Sequence, residues 1–288
     1  MRKIKASHYI LFAVILIGIC LLLYPTLSNS WNSYHQSKAI ASYDKSIKDM
    51  SEKDHKEVVE KAQQYNEQIA HLKTTDFHNG EPIDKTYKSL LNINNDSIMG
   101  YIEIDSINVK LPIYHGTSES VLSVAVGHLE GSSLPIGGKN THSVLTGHRG
   151  LTGAKLFTDL DRLKNGDTFK INTLGKVLTY EVENVSTVEP YQINKLNVAQ
   201  DKDLCTLVTC TPYGVNSHRL LVTGHRVENV KVEQNEKNDV STKNIQTNTI
   251  IYIPIIIAPI LLVLAIWLLF FKPNKKKKHT KNNKEEVM

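Results

Sequence analysis

The sequence predicts a mainly β domain, closed or nearly closed into a barrel, preceded by helices and flanked by two transmembrane-type segments. Three observations carry this. From Ile98 onward apolar residues alternate (Ile102/Ile104, then Ile107/Val109/Leu111/Ile113), the period of half-buried strands. Glycines from Gly116 to Gly175 cut the same region into short pieces, as in all-β barrels. Uncharged apolar runs lie near both ends, and a helical stripe follows the first. The expected division is a terminus at 1–7, an apolar segment at 8–24, a helical stalk and link at 25–95, and the barrel at 96–230. A tether at 231–249, a second apolar segment at 250–271 and a basic tail at 272–288 complete it.

Tyr9 to Leu23 is uncharged and follows Arg2, Lys3 and Lys5. A membrane anchor, a signal segment and a buried helix all fit, and the run is short against the ~20 residues of a spanning helix. Ser28 and Ser30 offer only a weak small-x-small cleavage site, so the run is read as an uncleaved anchor. Ile250 to Phe271 is 22 residues without a charge, with Tyr252 and Trp267 towards its ends and lysines after it. Basic residues outside both runs place both termini in the cytoplasm and the middle of the chain outside the cell.

The net charge of +5 resides in the tails. Setting aside Arg2, Lys3, Lys5 and the seven lysines from Lys272 onward, and Glu285 and Glu286, leaves 24 basic against 27 acidic residues. A nucleic-acid partner is therefore not expected. Between Gln36 and Leu72, Ile40, Tyr43, Ile47, Met50, Val58, Ala62, Tyr65 and Ile69 recur at helical spacing, with a break expected near Asp54. His71 to Asn95 has no clear period and reads as a loop-rich link.

The chemistry concentrates in Leu204 to Arg226. Cys210 closes the β-rich run Thr206-Leu207-Val208-Thr209, and Pro212, which cannot donate to a ladder, stops the strand just beyond it. After a Pro-Tyr-Gly turn, Arg219 opens a second β-rich run and returns to the same sheet end. A thiol beside a guanidinium suits acyl transfer, which also needs a proton carrier. Thr-Gly-His-Arg occurs twice, offering His148 and His225, and spacing alone leaves both open. An ordinary thiol and imidazole form less than about 1% of a thiolate–imidazolium pair at pH 7, so neighbours must favour it.

The run from Met99-Gly100-Tyr101-Ile102-Glu103-Ile104 through Thr146-Gly147-His148-Arg149-Gly150 to Thr209-Cys210-Thr211-Pro212-Tyr213-Gly214 and His218-Arg219 resembles a class C, pilin-polymerising sortase of Gram-positive bacteria, over residues 95 to 230. The resemblance implies an eight-stranded β-barrel and a cysteine transpeptidase. Cys210 would be the nucleophile, His148 the proton donor and acceptor, and Arg219 the stabiliser of thiolate and carbonyl. An LPXTG-like sorting signal would be cut between Thr and Gly, and the acyl group passed to a lysine amine of a pilin subunit. Partners are then pilins with sorting signals and acceptor lysines, and the membrane; no cofactor is implied. The family's lid carries an Asp-Pro-aromatic motif, for which Asp76-Phe77 is the nearest candidate and lacks the proline. Housekeeping attachment of proteins to the cell wall, peptidase action with water as acceptor, and a non-catalytic assembly scaffold of the same fold are the alternatives.

The remaining candidates are assigned bland roles. Cys20 and Cys205 are expected to pack, Cys205 facing away from Cys210 because the two are five residues apart on one strand. His225 is expected to be structural, His128 and His218 surface or turn residues, and Arg149 and Arg226 solvated. The 12 histidines show no zinc-site spacing with cysteine, and no acidic loop resembles a calcium cage, so no metal is expected.

Overall fold

The computed structural model describes residues 6–70 and 85–229. The candidate lid pair Asp76 and Phe77, the tether, the second apolar segment and the basic tail lie outside the described residues. Two units are distinguished, with a division at Tyr24/Pro25.

Helix α1 runs from Ala6 to Asp49 with Pro25 inside it. The first apolar run is thus part of a 44-residue helix, long and apolar enough to cross a membrane by length and composition. Beyond the apolar run the same helix docks on the barrel, Ser28 Oγ and Asn32 Nδ2 donating to Gly153 O at 3.3 and 2.8 Å. Cys20 is exposed on α1 rather than buried in protein.

The expected break falls at Met50–Ser51, a few residues before Asp54, and α2 spans Glu52–Ala70. Ser51 caps α2: its Oγ accepts the Asp54 N–H at 3.1 Å and donates to Asp54 Oδ2 at 2.7 Å. The predicted stripe faces protein, with Ile40, Tyr43, Ala62 and Ile69 buried. Tyr43 ties α1 to the barrel, its hydroxyl donating to Met99 O at 3.0 Å and accepting from Leu174 N at 2.9 Å. Asn66 does the same for α2, bonding both Leu134 O (3.2 Å) and Leu134 N (2.7 Å).

The link is not all loop. A short helix, α3 (Lys85–Ser89), delivers Tyr87 into the core at 1% exposure. Five residues are too few to show a period, and the helix is fixed by what Tyr87 reaches. Its hydroxyl lies 2.7 Å from His128 Nδ1 and accepts the Gly116 N–H at 3.2 Å.

The barrel comprises β1 (Ile98–Ile104), β2 (Val109–His115), β3 (Val126–His128), β4 (Thr141–Thr146), β5 (Thr168–Thr173), β6 (Lys176–Val188), β7 (Asp203–Thr211) and β8 (His218–Val227). A short helix, α4 (Glu119–Leu122), precedes β3. The closed order is β1-β2-β3-β4-β7-β8-β6-β5, with β5 pairing back to β1. Pairing is antiparallel except for β2 with β3 and β4 with β7.

Strands β4 and β7 are buried on both faces, which explains why they read as runs rather than alternations. On one face Leu145, Cys205, Leu207 and Val222 join the main core. On the other, Val144, Val208 and Leu221 form a second cluster with Val188 and Leu196, the latter from the 3-10 turn Ile193–Leu196. By alternation, Cys210 and Arg219 belong to this second, outer face.

Candidate active site

Strand β7 carries Cys210 to the rim of the barrel, where the side chain is partly exposed. Pro212 ends the pairing, the Thr211–Pro212 bond is cis, and Val215 N and Asn216 N donate to Pro212 O at 3.1 and 3.0 Å to turn the chain. Strand β8 then returns with Arg219 directly opposite Cys210. Directly paired residues share a face with Cβ atoms about 4.5–5.5 Å apart, so thiol and guanidinium are neighbours by register. Arg219 Nη1 donates to Asn216 O (3.2 Å) and His218 O (3.1 Å), which fixes the guanidinium at this turn.

His148 arrives from the parallel neighbour. Strands β4 and β7 pair from Thr141↔Asp203 to Thr146↔Val208. Past the last pair, Gly147 N donates to Val208 O at 3.0 Å, and Thr209 Oγ1 donates to Gly147 O at 2.7 Å. The next residue, His148, therefore leaves the sheet beside the strand end that bears Cys210. Its Nε2 lies 3.2 Å from Glu119 Oε2 at the start of α4, and its carbonyl accepts from Phe157 N at 3.1 Å. Gly147 is required for this turn, because a Cβ there would lie 2.7 Å from Phe157 Cδ2.

Arg149 corrects an expectation. It is not solvated: its side chain is 9% exposed, it is paired with Asp161, and it lies over the Tyr213 ring at 5.7 Å. Adjacent Gly150, at φ +78, leaves room for that ring, since a Cβ would stand 3.1 Å from Tyr213 Cε2. Arg226 is likewise held, donating to Thr179 O at 3.0 Å and Val227 O at 2.9 Å, with its guanidinium over the Tyr180 ring at 5.9 Å.

The competing histidines lie elsewhere. His225 pairs with Leu204, six positions along β8 from Arg219, or about 20 Å at ~3.3 Å per residue. It sits 3.2 Å from Glu183 Oε2. His218 is at the turn, 3.2 Å from Glu189 Oε1 and 2.8 Å from Ser217 Oγ.

His128 is no surface residue. Tyr87 from α3 covers it, its Nε2 lies 2.9 Å from Ser133 O, and burial pushes its pKa down to about 4. Burial pushes the Cys205 thiol well up, consistent with a packing role. Sequence reasoning missed Glu119 and Asp161. Neither carries a local signal, since their partners His148 and Arg149 are 29 and 12 residues away.

Comparison with known proteins gives concordant results. The sortase domain family model matches residues 102–227. A sortase C crystal structure from Streptococcus agalactiae is 49% identical, with a TM-score of 0.62, covering 67% of this chain and 99% of that one. A Clostridium perfringens sortase C, solved with the C-terminal cell wall sorting motif, is 42% identical with a TM-score of 0.59, covering 67% of this chain and 100% of that one. Among curated proteins, Sortase A of Streptococcus agalactiae is 32% identical over 117 residues, 40% of this chain. The chain spans about half the length of that relative (47%).

Proposed function

The chain belongs to the sortase family, within its class C, and from that premise we propose that it is a cysteine transpeptidase that joins pilin subunits at the outer face of the cell membrane. The observation that carries the reading is the register of Cys210 against Arg219, with the His148 turn bonded to the residues just before Cys210. Cys210 attacks the Thr–Gly carbonyl of an LPXTG-like signal. Arg219 stabilises the thiolate and the carbonyl oxygen. His148 gives a proton to the departing glycine amine as the C–N bond breaks, leaving a threonyl thioester on Sγ. A lysine amine of the next pilin then attacks the thioester, passes its proton to His148 and expels the Cys210 thiolate, forming an isopeptide bond and restoring the starting pair. That the Clostridium perfringens neighbour was solved with the C-terminal cell wall sorting motif supports the substrate class.

Helix α1 serves as a membrane anchor with the amino terminus inside and the barrel outside. The test uses the full chain in detergent with a sorting peptide and a lysine-bearing pilin domain. Mass spectrometry should find a thioester on Cys210 and then a linked product, and both should vanish in Cys210→Ala. Hydrolysed peptide without linked product, over a range of lysine acceptors, would replace the transpeptidase by a peptidase.

A further inference from the structure

Both chain neighbours of His148 are tied to neighbours of Cys210. On one side, Gly147 is bonded to Val208 and Thr209 through the last rungs of the β4–β7 pairing. On the other, the ladder has ended and Arg149 takes over. Its Nη1 donates to Thr211 Oγ1 at 3.3 Å, its guanidinium covers the Tyr213 ring, and Nη2 pairs with Asp161. Asp161 belongs to the 3-10 turn Leu160–Arg162, which closes the loop that begins at His148. One planar cation therefore touches the strand end, the turn after it and the far side of the loop. A guanidinium can do this because its donors point several ways in one plane and its face stacks on a ring; an ammonium cannot.

We propose that Arg149 is the positioning residue that holds the His148 turn in register with Cys210 where sheet pairing no longer can. The inference rests on the transpeptidase reading. Asp161 is 45% exposed, so solvent screens the ion pair and it adds little net stability; the expected effect is on geometry more than on folding. A misplacement of about 1 Å between reacting groups is enough to lower a rate by about a hundredfold.

The experiment takes two readouts in the full chain in detergent: alkylation of Cys210 by iodoacetamide against pH, mapped by peptide mass, and thioester formation with a sorting peptide. The parent should show an alkylation profile that His148→Ala changes. Arg149→Lys should move the profile towards that of His148→Ala. It should also lower kcat for thioester formation about tenfold to a hundredfold with KM within about twofold. Asp161→Asn keeps the arginine and should shift both readouts the same way by less; it decides the matter if Arg149→Lys does not fold. A His148-dependent profile left unchanged by the variants would overturn the clamp alone. So would a rate loss that merely tracks a fall in melting temperature. A parent profile identical to that of His148→Ala would remove the pair on which the clamp acts and overturn both readings.

Discussion

At the scale of single residues, the carboxylate of Glu119 faces the imidazole the proposed chemistry uses. A carboxylate only accepts, so at 3.2 Å it selects the His148 tautomer with hydrogen on Nε2 and leaves the lone pair on Nδ1. Glu119 is 81% exposed and solvent weakens the contact, so its effect is modest. Glu119→Ala should slow thioester formation about two- to tenfold, measured by quenched-flow mass spectrometry, and Glu119→Gln should lose the tautomer preference seen in imidazole nitrogen NMR shifts. A different role falls to Tyr87, whose hydroxyl contacts His128 Nδ1 and accepts the Gly116 N–H. Tyr87→Phe leaves these buried groups short of a partner and should cost about 1–3 kcal/mol in a urea titration. Neither contact was legible in the sequence, because the partners are distant along the chain and meet only through barrel closure. The strand-end positions of Cys210, His148 and Arg219 were legible from local signals, Pro212, Gly147 and the turn before Arg219, but those signals left His148 and His225 both open and only the family resemblance favoured His148.

At the scale of elements, α2 and the β4–β7 pair make opposite points about local and non-local information. The stripe of α2 and its start are local properties, and Ser51 satisfies a terminal N–H that no helical carbonyl reaches. Ser51→Ala should reduce stability by about 1 kcal/mol, read from the urea midpoint, without changing the rate of Cys210 alkylation. Strand β4 is double-faced, and the turn at its end depends on Phe157 packing against Gly147. Gly147→Ala places a methyl into that ring. It should slow thioester formation more than it lowers the melting temperature, since the displaced residue precedes His148. Helix α3 shows the limit of periodicity: it is shorter than the window in which a helical repeat is visible, and its tyrosine is held by β3.

At the scale of the whole molecule, closing the barrel under its helices buries His115, His128 and His142, each with a pKa lowered first of all by desolvation. A histidine whose folded pKa lies below its unfolded value of about 6.5 favours the fold most above that value, because there neither state binds the proton. As pH falls the unfolded chain takes up protons the folded chain refuses, and stability is lost through the folded pKa. For His128, at about 4, this amounts to about 3 kcal/mol once pH 4 is reached. Urea midpoints measured from about pH 7.5 down to about pH 4.5 should therefore fall steadily, and a flat profile would contradict neutral buried histidines. His128→Gln should flatten part of the decline. The sequence by itself determined the β class, the helical stripe, the apolar amino-terminal run and the strand-end motif residues, because periodicity, proline and glycine act over a few residues. Only the tertiary structure decided the closed strand order, the burial of His128 and Arg149, the removal of His225 to the far end of β8, and the meeting of Glu119 with His148. Those depend on register across strands distant in sequence, and register is fixed by which faces are buried together, which no local pattern encodes.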